Sequence, residues 1–243
     1  MKVDVVYPLA PLSKNGEDWE LRYSLRSLAA QPWVGTVFLV GHRPDWAQNI
    51  VHVPCDDPHK SKDANIIRKI LYACRIPELS SQFVINSDDH YIMKILRLMD
   101  LGPWLEHPSS LKDAYLKQAV SRWYIRLIKT VDYCNRRGFP QWVFESHIPY
   151  LVEKDRYIKT MLNIPFDKGI GLMTHVYYNL TLDIKPLKTI PGSVVRLKSE
   201  KTYDEIKEMM KYCMFLNHND TGLSDGLKQI LSERFPEPSP WEK

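Results

Sequence analysis

Two adjacent carboxylates and a histidine follow a short apolar segment in residues 83–92, which read FVINSDDHYI. Asp88 and Asp89 repel each other, and carboxylates removed from water are costly unless they pair with a cation or bind a metal. Divalent cations prefer oxygen ligands and are often shared between one or two carboxylates and a substrate phosphate. The pair therefore indicates either a metal–diphosphate site or a polar turn that Asp88 begins and in which Asp89 caps the next element.

A histidine and an Asn-Asp pair elsewhere in the chain could complete such a site. His147 lies among apolar residues in FESHIPYL, and an imidazole titrates near neutrality, so it could take the proton of an acceptor hydroxyl. Asn219 and Asp220 could add oxygen ligands to those of Asp89. The structural alternatives are a core histidine and an Asn-Asp turn before Gly222.

Several further side chains are candidates for contact with a phosphorylated ligand. Arg22 and Arg26 lie one turn apart on a predicted helix, and Lys62 and Asn65 open another helix, whose N-terminus would favour an anion. Asp4, on the first predicted strand, could contact a base or ribose. A polar helix face and a solvated carboxylate are the corresponding alternatives. The sequence contains no G-x-x-x-x-G-K-S/T or G-x-G-x-x-G motif, which excludes a P-loop and a dinucleotide-binding fingerprint.

Strands and helices alternate along the first half of the chain. The apolar patterns predict strands at Val3–Tyr7, Thr36–Val40, Ile50–Val53 and Gln82–Asn86, and helices at Glu20–Ala30 and Lys62–Cys74. This alternation predicts an α/β fold with a mostly parallel sheet flanked by helices. Ligands of such sheets bind beyond the carboxyl ends of the strands, which is where Asp88 and Asp89 lie.

The second half is predicted to be more helical. A long helix is expected over residues 112–137, ended by Gly138 and Pro140, and a late helix at Tyr203–Phe215. We expect a single domain over residues 1–243, with residues 1–105 as the donor-binding half and residues 106–243 as the acceptor-side half.

The positive charge of the chain is concentrated in that long helix. The whole chain carries +4, whereas residues 112–137 contain seven Lys or Arg and two Asp. The basic stripe consists of Arg122, Arg126, Lys129 and Arg136. It is either a solvated helix face or a track for a polyanion such as DNA, with Trp123 and Tyr124 interleaved as stacking surfaces.

Composition excludes several classes of protein. With 44% hydrophobic and 26% charged residues the chain can build a packed core, which excludes global disorder. No apolar run approaches the roughly 20 residues that span a bilayer, and the N-terminus lacks a long apolar signal region. The four cysteines are widely spaced and contain no C-x-x-C pair, so we expect reduced thiols and a cytoplasmic location.

Several segments resemble a known family in sequence and in order. WELRYSLRSL, PWVGTVFLVG, PDW, DANIIRKI and LSSQFVINSDDH resemble the second conserved region of the Stealth proteins, which are sugar-1-phosphate transferases of capsule synthesis and lysosomal-enzyme tagging. VDVVYP resembles the start of their first region. ESHIP and FLNHNDTGL resemble motifs of their third and fourth regions. The resemblance covers about residues 1–92 and is thinner beyond.

The resemblance implies a core of the GT-A type, a nucleotide-sugar donor such as a UDP-sugar, and Mn²⁺ or Mg²⁺. Asp88 and Asp89 would organise donor and metal, with Asn219 and Asp220 opposite them and His147 as the base. We therefore expect a metal-dependent glycosyltransferase that moves a sugar to a hydroxyl.

The acceptor is open on the sequence. One candidate is hydroxymethylated pyrimidine in bacteriophage DNA, which would place the enzyme in the host cytoplasm. The alternatives are a Stealth-type sugar-1-phosphate transferase acting on a polysaccharide and a non-enzymatic nucleic-acid-binding module. The sequence leaves the sugar, the stereochemical outcome and the oligomeric state undetermined.

Overall fold

The structure, a computed structural model, describes residues 2–11, 18–106, 122–145, 147–168, 171–181, 187–188 and 192–243. The first half alternates strands and helices in the predicted order: β1 (Val3–Leu9), α1 (Trp19–Ala29), β2 (Val34–Gly41), β3 (Val51–Val53), α2 (Lys62–Ala73) and β4 (Gln82–Ile85). The predicted elements of this half are therefore present, with ends that differ by one to two residues.

The main sheet contains five strands in the order β3-β2-β1-β4-β7. Strands β1 to β4 are mutually parallel, and β7 (Tyr150–Glu153) pairs antiparallel with β4. Because β7 comes from the second half of the chain, residues beyond position 105 complete the sheet built by the first half.

The two faces of this sheet are covered by different helices, because successive strand residues point to opposite faces. Val5 and Tyr7 of β1 pack with the apolar side of α1, whereas the intervening Val6 packs with Ile67 and Ile70 of α2. Helices thus lie on both faces, as the alternating pattern predicts.

The first half ends with β5 (His90–Ile92) and β6 (Trp104–Leu105). The second half adds α3 (Arg122–Asn135), β7, α4 (Lys154–Leu162), α5 (Met173–Leu180), β8 (Leu187–Lys188), β9 (Val194–Leu197), α6 (Tyr203–Met209), β10 (Phe215–His218) and α7 (Asp225–Arg234). Seven α-helices in the described part of the chain flank a mostly parallel sheet, so the predicted fold class is confirmed. No helix in this part of the chain is long and apolar enough to cross a membrane.

A second sheet has the order β5-β10-β9, with β10 antiparallel to β5 and parallel to β9. The sequence did not predict it. The helix predicted over Tyr203–Phe215 is too long: α6 ends at Met209, a 3-10 turn follows at Met210–Tyr212, and Phe215 begins β10. Pairing of Phe215 with Ile92 of β5, far earlier in the chain, and with Val194 of β9 outweighs local helical spacing there.

The helix predicted over residues 112–137 is present as α3, and residues 112–121 lie outside the described part. After α3, Gly138 adopts a φ of +74°, which suits glycine at a helix end. The four cysteines form no disulfide; Cys74, Cys134 and Cys213 are buried and Cys55 is half-buried.

The C-terminal tail fastens α1 to the rest of the molecule. Glu242 is 5% exposed, and its carboxylate accepts hydrogen bonds from Arg26 and Arg22 and from the backbone N–H of Ser239. Arg22 also stacks over the ring of Trp46. The two arginines predicted as phosphate contacts therefore hold the tail, because a carboxylate more than 200 residues away satisfies them.

We expect Glu242→Ala to lower the free energy of unfolding by about 2–3 kcal/mol, because it removes a hydrogen-bonded ion pair and leaves the Arg26 guanidinium without its acid. Urea unfolding measures this change. Glu237→Ala, at an exposed glutamate of the same tail, is the matched control and should change stability by less than about 0.5 kcal/mol. Equal stability of the two variants would contradict a structural role for the arginines.

Candidate active site

A cavity of about 580 Å³ opens at the carboxyl ends of β1 and β4. Its floor is formed by Pro8 and by residues 85–90, and its walls come from α2, α3, the start of α5 and His147. Asp88, Asp89 and His147, which the sequence predicts to act together, all line this cavity, as do Lys62, Asn65 and Arg126.

Buried hydroxyls hold the loop that carries the carboxylates. The Ser24 hydroxyl, on α1, donates to the backbone carbonyl of His90 (2.7 Å) and lies 3.0 Å from the Tyr7 hydroxyl. Asn86 Nδ2 donates to the Tyr7 hydroxyl (2.8 Å), and the Asn86 backbone N–H donates to Val6. The loop after β4 is thus fixed to β1 and α1 before the first carboxylate is reached.

The two carboxylates differ in electrostatic environment. Burial and the adjacent charge of Asp89 raise the pKa of Asp88. Burial by itself would raise the pKa of Asp89, but His90, Ser87 and Lys62 hold it below its ordinary value. Asp89 Oδ1 is buried and has no hydrogen-bond partner in the described part of the chain. The pair therefore combines an ionised acid with unused acceptor capacity.

Two histidines flank this pair. The ring centroids of His90 and His147 lie 6.2 Å apart, edge to face. Burial lowers the pKa of His90 to about 4, and burial together with the charge of Arg196 lowers the pKa of His147. Both imidazoles are therefore neutral at pH 7, which leaves His147 able to accept a proton.

A third acid, which sequence reasoning missed, faces the pair from α1. Burial, followed by repulsion from Asp88, Asp89 and Asp220, raises the pKa of Glu20 to about 7. Glu20 Oε1 lies 3.7 Å from His218 Nε2. No local motif could have identified Glu20, since it is simply the first residue of a predicted helix that begins ELRYSL.

Basic side chains also line the cavity. Lys62 is the first residue of α2 and lowers the pKa of both Asp88 and Asp89. The buried Lys69 donates to the Leu9 carbonyl (2.6 Å) and lies 2.6 Å from Asp57 Oδ1. Arg126 of α3 forms an ion pair with Asp63 of α2 across the cavity wall. Lys69 and Arg126 are thus paired with acids that line the cavity as well, whereas the charge of Lys62 acts on the carboxylate pair.

Other predicted residues lie elsewhere or have local partners. Asp4 is at the amino end of β1, where its carboxylate accepts hydrogen bonds from the backbone of Thr36 and Ser80, far from the strand ends that line the cavity. Asn65 lines the cavity, but its side chain binds both backbone groups of His59. Both side chains therefore have structural partners.

Neither residue of the predicted Asn-Asp pair, Asn219 and Asp220, lines the cavity. Asn219 accepts a hydrogen bond from the backbone of Gly222 and caps a 3-10 turn, and it does not line the cavity. Asp220 does not line the cavity either, although its charge acts on Glu20. The predicted role of the pair as metal ligands therefore has no support from the cavity lining, and the described effect of Asp220 is to raise the pKa of Glu20.

Of the basic stripe, Arg126 is paired with Asp63 and Arg136 with Asp132, while Lys129 is exposed. The side chain of Arg122 lies outside the described part of the chain.

The donor set suits a divalent cation that is shared with a phosphate. No group of three or more His, Cys, Asp or Glu among the described residues has the spacing to enclose a metal alone. Asp88 and Asp89 supply two carboxylates; Asp89 Oδ1 accepts no hydrogen bond among the described residues and lies 3.5 Å from His90 Nε2. This arrangement fits a cation that takes its other ligands from a diphosphate and water.

No protein-family model matches this chain, and no curated protein matches it. The resemblance to the Stealth family therefore stays a prediction. Among solved structures, an active-site mutant of LgtC is similar over 98% of this chain and 98% of that chain, with a TM-score of 0.52 and 10% identity. This similarity confirms a GT-A-like fold.

Two weaker similarities accompany it. A glycosyltransferase involved in the glycosylation of the major capsid of PBCV-1 has a TM-score of 0.44 and 9% identity, over 97% of this chain and 98% of that chain. The glycosyltransferase GlyE of Streptococcus pneumoniae TIGR4 has a TM-score of 0.45 and 8% identity, over 100% of this chain and 67% of that chain.

We expect Glu20→Gln to stabilise the metal-free chain progressively as the pH rises from 5 to 8. The folded state raises the pKa of Glu20 from 4.5 to about 7. The folded chain therefore binds more protons than the unfolded chain between these values, and stability is lost as Glu20 ionises. Glutamine cannot ionise. At pH 8 the free energy of unfolding of Glu20→Gln should therefore exceed that of the parent by about 1–2 kcal/mol after allowance for solvent screening.

Urea unfolding of parent and variant at pH 5 and pH 8 measures this difference. Glu208→Gln, at an exposed glutamate of α6, is the control and should show no growth with pH. A Glu20→Gln effect of the same size at both pH values would contradict the electrostatic origin.

Proposed function

We propose that this chain is a glycosyltransferase that moves a sugar from a nucleotide-sugar to a hydroxyl acceptor with the help of a divalent cation. The observation that carries the proposal is the position of Asp88 and Asp89 at the carboxyl end of β4, on the floor of a cavity that Lys62 and His147 also line. Paired carboxylates beside a cation and a neutral imidazole suit a diphosphate leaving group and a hydroxyl nucleophile.

The diphosphate of the donor would lie between the carboxylates and Lys62. Asp88 and Asp89 would hold Mn²⁺ or Mg²⁺, which neutralises the developing charge on the leaving group when bound. Lys62 approaches from α2 and contributes a second positive charge. Glu20 adds negative charge at the same edge, which favours the bound cation.

The proton of the acceptor would pass to His147. In the transfer step the acceptor oxygen forms a bond to the anomeric carbon while the bond from that carbon to the diphosphate oxygen breaks. The acceptor proton moves to the neutral His147 ring, and the nucleoside diphosphate leaves with the bonding electrons. The lowered pKa of His147 keeps the ring unprotonated before the step and releases the proton to solvent afterwards.

We expect Asp89→Asn to abolish Mn²⁺-dependent cleavage of the donor while the fold is retained, because the substitution removes one charged metal ligand. The loss of transition-state stabilisation should be several kcal/mol, or a fall in turnover of at least 10³-fold. The experiment measures equilibrium binding and turnover of a panel of nucleotide-sugars with and without Mn²⁺, and far-UV circular dichroism of each variant.

Asp225→Asn, at a fully exposed aspartate of α7, is the control and should behave as the parent. Near-parental turnover of Asp89→Asn would exclude the metal role. The mass of the product separates transfer of the sugar from transfer of the sugar phosphate, which is the alternative that the Stealth resemblance raises.

The hypothesis of a DNA acceptor rests on the basic side chains of α3 and the residues after it. The pairing of Arg126 with Asp63 connects this helix to the cavity wall, and the pairing of Arg136 with Asp132 reduces its free positive charge. Lys129 is exposed. The described contacts therefore favour a neutral acceptor as readily as a polyanion.

Under the DNA hypothesis, affinity for duplex DNA carrying hydroxymethylated pyrimidines should fall steeply with salt, with a log–log slope near −0.9 for each phosphate contact. Lys129→Glu combined with Arg136→Glu should flatten this slope by about 2 and leave nucleotide-sugar binding unchanged. Fluorescence anisotropy at four salt concentrations measures the slope. A salt-independent affinity, or a slope that the double variant does not change, would exclude DNA as the acceptor.

A further inference from the structure

The backbone of His147 is held from both sides by buried side chains. Its N–H donates to Glu145 Oε1 (2.9 Å), and its carbonyl accepts from Asn217 Nδ2 (2.8 Å). Glu145 and Asn217 are each 3% exposed. Asn217 lies 70 residues later in the chain, on β10, so the position of His147 depends on the second sheet.

Three polar residues form a row across that sheet. Asn217 of β10 lies opposite His90 of β5 and opposite Arg196 of β9. Residues that face each other across neighbouring strands project from the same side of a sheet. Their contacts agree: the His90 ring packs against the His147 ring, Asn217 binds the His147 carbonyl, and Arg196 binds Glu145. The whole row thus faces the segment that contains His147.

Arg196 fixes the orientation of the carboxylate that holds His147. Its guanidinium binds Oε2 of Glu145 and Oε1 of Glu106 (2.8 Å for the second). Glu145 therefore uses one oxygen for Arg196 and the other for the His147 N–H. Buried ion pairs of this kind are a weak source of stability compared with apolar packing. The effect of this ion pair that the contacts show is to orient the Glu145 carboxylate toward the His147 N–H.

None of these supporting residues reaches the cavity itself. His147 and His90 line it, whereas Arg196, Glu145, Glu106 and Asn217 do not. Any influence of the four residues on the reaction must therefore pass through His147 or its neighbours.

We propose that Asn217, Glu145 and Arg196 are positioning residues that hold His147 at the cavity wall, where its ring can take the proton of an acceptor hydroxyl. This inference rests on the proposed function, in which His147 accepts the proton. Within FLNHNDTGL, Asn219 caps a local turn, whereas Asn217 binds the backbone carbonyl of His147.

A double-mutant cycle between Asn217→Ala and His147→Ala tests the proposal. The probe is the nucleotide-sugar on which the parent chain shows Mn²⁺-dependent turnover. His147→Ala should lower kcat by about 10²–10⁴-fold. Asn217→Ala should lower kcat by about 10–100-fold with donor KM within twofold, because a misplaced base costs the reaction without changing donor contacts. The double variant should be no slower than His147→Ala, since Asn217 acts only through that ring.

Asn179→Ala provides the matched control. Asn179 is a fully buried asparagine that binds the backbone of Trp142 from both its amide atoms, and it has no contact with His147. The Asn179→Ala variant should be destabilised to a similar extent as Asn217→Ala, but its kcat should stay at the parental value. The positioning role would be overturned if the fall in kcat of the double variant equalled the product of the two single falls. It would also be overturned if Asn179→Ala lowered kcat as much as Asn217→Ala does.

A measurement without turnover separates this inference from the proposed function. In ¹⁵N-histidine-labelled chain, the ring signal that His147→Ala removes should shift in Asn217→Ala and in Arg196→Lys, and stay in place in Asn179→Ala. If the parent cleaves no nucleotide-sugar, the proposed function fails, yet the shift still reports the positioning. An unmoved His147 signal would overturn the positioning inference whatever the activity.

Discussion

The arrangement of this molecule depends on keeping two neighbouring carboxylates, Asp88 and Asp89, in a fixed place at the end of a core strand. Their mutual repulsion and their partial removal from water both oppose folding. The structure offsets this cost with hydrogen bonds: Tyr7, Ser24 and Asn86 bind the loop from within the core. The loop that carries the acids is therefore bound to the core, and under the proposed function a bound cation would relieve the repulsion between the acids.

The site is assembled where two sheets meet. Asp88 and Asp89 follow the carboxyl end of β4 in the parallel sheet, and the next strand, β5, pairs with β10 in the second sheet. The second sheet then supports His147 through Asn217 and Arg196. The acidic loop follows β4 and the candidate base precedes β7, so both adjoin the main sheet, while the backbone of the base is bound by β10 of the second sheet. Under the proposed function, substitutions along β9 and β10 would act on the base through these backbone contacts.

Charge around the cavity is mixed. Asp88 and Asp89 line it together with Lys62, whose charge lowers the pKa of both acids, and Glu20 adds a third carboxyl group that interacts with this pair. Burial keeps the rings of His90 and His147 neutral. Under the proposed function, a metal-bound diphosphate would bring both signs of charge to this mixed environment.

The sequence by itself determined the local features: the alternation of strands and helices, the carboxylate pair after β4, and His147 as a polar residue in an apolar segment. These follow from periodicity and from neighbours within a few positions. Tertiary structure decided the rest. Phe215 begins a strand because β5 and β9 pair with it, and Arg22 and Arg26 bind the tail because Glu242 reaches them. Glu20, Asn217 and Arg196 acquire their roles through contacts with residues far along the chain. The spacing of residues within one segment cannot predict such contacts, because long-range pairing depends on how whole helices and strands pack together.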